Sequence, residues 1–272
     1  MWDAVVQLLN VLFLWKHEMP ISKIQRFWTL ALYSMQFKWL QNVRWMNERA
    51  SPNCAYVPTS IEHIANVITH GVWVVPSILA CLMLIQRAQS WPQYWSAVVY
   101  GAALILLFTV STFFHSVFYC SRNSHLKDVL HRGDRAMIYV FIAASYFPWL
   151  TLQPLPPSGW AAELRWFVWV LASLGIIYQQ MFHEQYKCLE TFFYLVMGIM
   201  PALAIVEMNE FSGLTELKIG GIIYVLGVFF FKADGKIPCA HAIWHLFVVM
   251  AASVHYYAIL NYLYPTEDEN IM

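Results

Sequence analysis

The amino-acid sequence predicts an all-α membrane protein, a bundle of seven transmembrane helices. Of its 272 residues, 60% are hydrophobic and only 12% are charged, whereas soluble domains carry about 25% charged residues. Aromatic residues make up 17% of the chain, including 13 Trp, a composition typical of the belts at membrane–water interfaces. This composition excludes a soluble domain, and the formal net charge of zero gives no indication of a nucleic-acid partner, so we expect none.

Seven apolar segments are each long enough to cross about 30 Å of hydrocarbon as a helix, and none shows the alternation of a membrane barrel strand. They cover residues 62–86, 94–118, 135–152, 161–182, 189–208, 217–232 and 240–263. Short linkers join them, so we expect one helical domain at residues 61–264 and a short outer tail at residues 265–272.

The basic residues predict the orientation of the bundle. With the N-terminus in the cytoplasm, only Arg87, Arg165 and Lys218 of the 16 Lys and Arg residues fall on the outer side. Loops rich in Lys and Arg stay in the cytoplasm. The predicted N-terminus is therefore cytoplasmic and the C-terminus lumenal or extracellular, the reverse of a G-protein-coupled receptor.

The predicted cytoplasmic segment covers residues 1–60. It lacks the basic start and the cleavage site of a signal peptide. Between residues 27 and 46, bulky residues recur at helical spacing with basic residues beside them. This pattern fits an amphipathic helix on the cytoplasmic leaflet or a helix packed under the bundle, and Ser60 is expected to cap the first spanning helix.

Polar side chains from four predicted helices fall at one depth, in the cytoplasmic half of the bundle. Such residues are costly within a bilayer and mark functional sites. The strongest signal is the pair His241 and His245, four residues apart and so on one face of the last helix. The set comprises Glu62, Asn66, His70, Ser111, His115, Asp134, His241 and His245.

Three of these residues have the chemistry of a zinc site. Neutral imidazoles from His115, His241 and His245, with a fourth position open, form a catalytic type of zinc centre. Asp134 is either a further ligand or the base for a zinc-bound water. The alternatives are hydrogen-bonded core histidines and, for Asp134, a surface ion pair with its arginine neighbours.

The other polar residues are expected to support this centre. Ser111 is a candidate for hydrogen bonding to a substrate or an oxyanion, or else a helix-packing residue. Glu62, Asn66 and His70 share one helix face and are expected to orient the ligands, although Glu62 also suits the start of its helix. His255, in the outer half of the last helix, is expected in the aromatic belt.

The motifs Ser111-x-x-x-His115, Asp134 and His241-x-x-x-His245 resemble those of the progestin and adipoQ receptor (PAQR) family. Its relatives include the hemolysin III proteins and, more remotely, the alkaline ceramidases. Longer stretches, at residues 134–150, 240–248 and 255–259, are similar to the monocyte-to-macrophage differentiation factor branch.

This resemblance implies a seven-helix bundle with its N-terminus inside and zinc near the cytoplasmic face. It implies that His115, His241 and His245 hold the zinc and that Asp134 contacts its water. It further implies a membrane lipid as substrate or ligand, ceramide hydrolysis in some relatives, a Golgi or late endosomal and lysosomal location, and Ras and ERK signalling through proteins at the cytoplasmic face.

Three functions remain open from the sequence. The first is a zinc-dependent hydrolase of lipid amides, and the second is a receptor or scaffold in which zinc only joins helices. The third, a proton or ion pathway, would need polar residues in the outer half of the bundle, where the middle helices carry almost none.

Overall fold

The computed structural model describes residues 44–51, 53–154, 160–207 and 212–265, except for the side chains at 160–162 and 203–207. Most of the predicted amphipathic segment, at residues 27–43, and the outer tail beyond residue 265 lie outside the described residues. The described helices all belong to the unit formed by residues 45–272.

Within the described ranges the regular structure is entirely helical. The helices are α1 (Ser60–Gly71), α2 (Val74–Arg87), α3 (Trp91–Cys120), α4 (Ser124–Leu152), α5 (Trp160–Met181), α6 (Lys187–Glu207), α7 (Leu214–Phe231) and α8 (Ala240–Leu263). A two-residue turn separates α1 from α2, which together form the first predicted span.

Five helical segments in the described part are long and apolar enough to cross a membrane. They are α1 with α2, and α3, α4, α7 and α8. The prediction of a multi-pass helical membrane protein is thereby confirmed. Helices α5 and α6, of 22 and 21 residues, occupy the fourth and fifth predicted segments. The count of seven spans and the orientation of the termini stay predictions.

Helix α4 begins well before the apolar segment that predicted it. The predicted segment starts at residue 135, whereas the helix starts at Ser124, where the Leu126 amide donates to the Asn123 side chain at 3.1 Å. The first turns carry charged residues, so hydropathy does not detect them. Asp134 consequently lies inside a continuous helix, and not just before its start as the predicted segment implied.

The start of α1 is fixed by a reciprocal pair of hydrogen bonds. The Glu62 amide donates to Thr59 Oγ1 at 3.3 Å, and the Thr59 amide donates to Glu62 Oε2 at 2.8 Å. This capping box satisfies two amides that a helix start leaves unpaired. The predicted cap at Ser60 was therefore wrong by one residue.

Helix packing brings the polar residues together. Helix α3 packs against α1, α2 and α4, and α8 packs against α7, α1 and α4. Helices α1, α3, α4 and α8 carry all the predicted site residues, and each of them packs against two of the others. Aromatic and aliphatic side chains such as Tyr100, Leu107 and Phe141 fill the space between them.

Candidate metal centre and its cavity

Three histidines from two helices form the centre of the candidate site. His115 lies on α3, and His241 and His245 lie one turn apart on α8. One ring nitrogen from each lies within 4.8 Å of the others. The ring centroids are 5.2 Å apart for His115 and each α8 histidine, and 4.7 Å apart for His241 and His245. The structure thus brings the predicted three together.

The donor set of these histidines fits a zinc ion. His115 Nε2 and His241 Nδ1 are buried and have no hydrogen-bond partner among the described residues. His245 Nδ1 lies 3.0 Å from Thr69 Oγ1, which leaves its Nε2 for another partner. Buried polar atoms are nearly always paired, and three imidazole nitrogens at one point are ligands that zinc favours.

His70 and Ser111 lie directly beside this centre. The His70 ring stacks on the ring of His245, with centroids 3.7 Å apart and planes at 15°. His70 Nδ1 lies 2.9 Å from Ser111 Oγ, and the Ser111 side chain also interacts with that of Asp134. Ser111 therefore joins α1 to α4 through one hydroxyl, and its orientation is set by both neighbours.

Glu62 lies near the centre but is directed at backbone amides. Its Oε1 accepts from the amides of Asn47 at 3.2 Å and Cys239 at 3.3 Å, and its Oε2 accepts from Thr59. Cys239 is the residue immediately before α8. The carboxylate therefore holds the start of the helix that carries His241, which is an orienting role.

Asn66 acts on the centre through a tyrosine. Its Nδ2 donates to the hydroxyl of Tyr56 at 3.0 Å, and the Tyr56 ring lies 5.0 Å from the ring of His241. Burial, followed by Asp234 and the other carboxylates nearby, raises the pKa of Tyr56 well above its usual value. The phenol therefore keeps its proton at neutral pH.

Three side chains at the site, Tyr56, Thr69 and Asp234, were missing from the sequence prediction. Thr69, which meets His245, lies three residues after Asn66 on α1, so helical spacing would have found it. Asp234 lies in the loop before α8, with Oδ2 3.9 Å from His241 Nδ1. Burial raises the pKa of Asp234 to about 7, with Glu62 adding to the effect. No periodic pattern marks a loop residue such as this one.

A large cavity extends from the metal centre into the bundle. Its volume is about 1450 Å³, larger than most small-molecule pockets. At one end it is lined by Asp134, His241 and His245, and its walls include many apolar side chains. A cavity of this volume with apolar walls is large enough to hold an extended apolar chain.

A second cluster of potential ligands lies nearby, but it already contains a cation. Ring nitrogens of His131 and His183 and a Glu184 oxygen lie within 4.8 Å of one another. The Arg135 guanidinium pairs with Glu184 at 2.7 Å and Glu190 at 2.8 Å, and its Nε donates to His131 Nε2 at 3.2 Å. We interpret this cluster as a buried charge network.

The charge network also keeps the carboxyl group of Glu184 ionised. Burial acts to raise the pKa of Glu184, but Arg135 and then Lys187 outweigh it and keep the pKa below its usual value. Lys187 Nζ lies 2.6 Å from Glu184 Oε2. Glu184 is therefore ionised at neutral pH.

Comparisons with known proteins show which sequences this chain is similar to. Residues 59–256 match the family described as Haemolysin-III related. The chain is 51% identical over 229 residues to the monocyte to macrophage differentiation factor of Homo sapiens, covering 82% of this chain and 94% of that protein. It is 37% identical over 207 residues to the hemolysin-3 homolog of Bacillus subtilis (strain 168), covering 74% and 94%. It is 36% identical over 211 residues to hemolysin-3 of Bacillus cereus, covering 75% and 93%. The family match includes all three histidines of the candidate metal centre.

Proposed function

The chain belongs to the Haemolysin-III related family of membrane proteins, and from this premise we propose that it is an intramembrane zinc protein that hydrolyses lipid amides such as ceramide. The observation that carries the proposal is the position of three imidazoles relative to a cavity. His115, His241 and His245 bring one ring nitrogen each within 4.8 Å of one another, and His241 and His245 line a largely apolar cavity of about 1450 Å³. Nε2 of His115 and Nδ1 of His241 are buried and have no hydrogen-bond partner among the described residues.

Amide hydrolysis requires groups that move a proton and steady a developing charge. Water adds to the carbonyl carbon, the carbon–nitrogen bond breaks, and a proton from the water reaches the amine. Zinc held by the three histidines would supply a Lewis acid and would acidify water. Asp134, which lines the same end of the cavity, would take the proton from water and return it to the amine.

Ser111 is placed to act on the carbonyl oxygen. Its hydroxyl lines the cavity and is held by His70 on one side and Asp134 on the other. A hydroxyl whose oxygen is held beside the substrate can stabilise negative charge on the carbonyl oxygen. This role requires the Ser111 proton to turn from its present partners toward the substrate.

Metal analysis tests the zinc site directly. We expect about one zinc per wild-type chain after purification in detergent without chelator, and none in the His241→Ala/His245→Ala double variant. Elemental mass spectrometry gives the ratio, and a His255→Ala variant is the control for loss of a half-buried histidine elsewhere on α8. Equal zinc in wild type and double variant would contradict the site.

Product analysis tests the reaction. We expect purified wild-type protein to release fatty acid from ceramide in detergent, and Asp134→Asn to lose at least about a hundredfold in rate, the range for a general acid–base group. Mass spectrometry quantifies the fatty acid. Release no greater than in the double-histidine variant would overturn the hydrolase proposal for ceramide.

One observation favours a second candidate, a non-catalytic receptor or scaffold. Bound zinc would join α3 to α8, and His245 is also tied to α1 through Thr69, so the metal suits a structural role. In that case the histidine variants would lose folding and signalling through Ras and ERK together, while Asp134→Asn would signal normally. An Asp134→Asn protein that folds and binds zinc but fails to signal would exclude this candidate.

For both candidates we propose an endomembrane location, in the Golgi or the late endosome and lysosome, with signalling proteins contacted at the cytoplasmic face. The multi-pass helical structure supports a membrane location, and the compartment follows from the resemblance to the differentiation-factor branch. Fractionation of cells that express a tagged chain tests it, and recovery only with the plasma membrane would contradict it.

A further inference from the structure

The end of the cavity remote from the histidines is also polar. It is lined by His255 of α8 and by Tyr224 and Lys218 of α7. His255 lies ten residues beyond His245, which corresponds to about 15 Å along a helix. The His255 side chain thus faces the inside of the bundle, and its expected depth, in the aromatic belt, stays a prediction.

The hydrogen bonds of His255 define which nitrogen can receive a ligand. Its Nε2 lies 3.2 Å from the carbonyl oxygen of Leu217. A carbonyl only accepts, so Nε2 carries the proton, and Nδ1 of the neutral ring is an acceptor. Among the described residues, none forms a hydrogen bond with Nδ1 of His255. The ring thus offers one free acceptor.

Gly220 fixes the orientation of this ring. A Cβ at Gly220 would overlap the Cδ2 and Nε2 atoms of His255. The absence of a side chain lets the ring lie directly against the backbone of α7, with its Nε2 edge toward Leu217. The Nδ1 edge is therefore turned away from α7.

Tyrosine hydroxyls supply donors at the same place. The Tyr224 ring lies 5.5 Å from the His255 ring, centroid to centroid. The hydroxyls of Tyr224 and Tyr100 are buried and have no partner within the described residues, and the two phenols are close enough to interact. An unsatisfied buried hydroxyl is destabilising, and of these two tyrosines Tyr224 lines the cavity, so a ligand at this end would offset that cost for Tyr224.

We propose that Tyr224 and His255 form a subsite for a hydroxyl group on the chain of the bound lipid. A hydroxyl accepts from the Tyr224 hydroxyl and donates to His255 Nδ1, so it satisfies both at once. The substrate class that follows is a lipid amide whose chain carries a hydroxyl about 15 Å from the carbonyl. This inference rests on the proposed function only in taking a lipid amide as the occupant of the cavity.

Equilibrium binding of a matched lipid series tests the subsite. The probes are N-ethyl fatty amides of one chain length that carry a single hydroxyl at successive carbons, with the unsubstituted amide and an amide with a terminal carboxylate as references. Binding to zinc-loaded wild-type protein is compared with Tyr224→Phe, which removes only the hydroxyl. The control is Tyr178→Phe, since the Tyr178 hydroxyl is also buried and unpartnered but lies outside the residues that line the cavity.

We expect one hydroxyl position to bind about tenfold tighter than the unsubstituted amide, as one well-placed hydrogen bond allows. This preference should disappear in Tyr224→Phe and persist in Tyr178→Phe. Tight binding with no preference for any hydroxyl position would overturn the subsite. Water would then be the expected partner of Tyr224 and His255. A preference for the carboxylate would replace it with anion recognition by Lys218. If no amide binds at all, the lipid-amide proposal fails as well, whereas the zinc content tests the metal centre independently.

Discussion

A single carboxylate, that of Glu62, connects three segments of backbone around the candidate metal centre. It accepts from the amides of Asn47, Thr59 and Cys239 and is 3% exposed. We expect Glu62→Ala to destabilise the protein by about 3 kcal/mol, because buried amides lose a charged acceptor. Thermal unfolding in detergent measures the change, and zinc content should fall because Cys239 precedes the helix of His241.

The matched control is Glu163→Gln, at an exposed position in the first turn of α5. That change should alter stability by no more than about 0.5 kcal/mol. If Glu62→Ala unfolds at the wild-type temperature and keeps its zinc, the carboxylate has no orienting role.

The residues that can bind a metal were predicted more successfully than the residues around them. Helical spacing and a shared depth selected His115, His241 and His245, and the structure brings their nitrogens together. Tyr56 and Asp234, which also approach His241, escaped prediction because they lie in loops. Helical periodicity places residues on a helix face but does not show where a connecting segment folds back.

The contact between α7 and α8 depends on one of two adjacent glycines. A Cβ at Gly220 would overlap His255, whereas a Cβ at Gly221 has no neighbouring atom within 4 Å. We expect Gly220→Ala to cost about 1–3 kcal/mol by overpacking. Gly221→Ala should be neutral or stabilise the helix by up to about 1 kcal/mol. Thermal unfolding of the two variants compares them, and equal melting temperatures would contradict the close approach.

The charge network joins α4 to α6 and the loop before it. Replacing Arg135 with Gln leaves Glu190 buried without this cation and Glu184 with Lys187 alone, so we expect a loss of about 3–5 kcal/mol. Arg132→Gln is the control, since Arg132 pairs with Asp128 at an exposed site and such pairs contribute at most about 1 kcal/mol.

The difference in unfolding free energy between wild type and Arg135→Gln should depend on pH. Because Arg135 and Lys187 hold the pKa of Glu184 below its usual value, the ionised carboxylate stabilises the wild type above the pKa of the unfolded chain, about 4.3. That stabilisation is lost as the pH falls through the lower, folded-state pKa. The gap in unfolding free energy should therefore be largest near neutral pH and narrow below about pH 4. A gap that stays constant with pH would show that Glu184 does not need Arg135.

Helix boundaries were predicted correctly where the end of a helix coincides with the end of its apolar segment. The last helix, Ala240–Leu263, has the predicted limits because a loop with charged residues precedes it. Helix α4 was predicted eleven residues too short because hydropathy reports burial in lipid and not helical conformation. A helix that extends beyond the bilayer keeps its hydrogen bonds while its side chains become charged.

At the scale of the whole molecule, the candidate metal centre connects parts of the chain that are distant in sequence. His115 belongs to α3 and His241 and His245 to α8, so bound zinc would link the first half of the bundle to the last helix. A ligand that binds only the folded state stabilises it by mass action, by about 4 kcal/mol at a thousand times its Kd. A strong chelator should therefore lower the melting temperature of the wild type by several degrees.

The variants separate a structural effect of zinc from its chemistry. The double-histidine variant should melt at a reduced temperature that chelator no longer changes, since it has no zinc to lose. Asp134→Asn should keep the full response to chelator, because Asp134 is assigned to proton transfer and the three imidazoles hold the metal. If Asp134→Asn loses both its zinc and its response to chelator, Asp134 is a fourth ligand and not a base. A wild type whose melting temperature is unchanged after its zinc has been removed would show that the metal does not link α3 to α8.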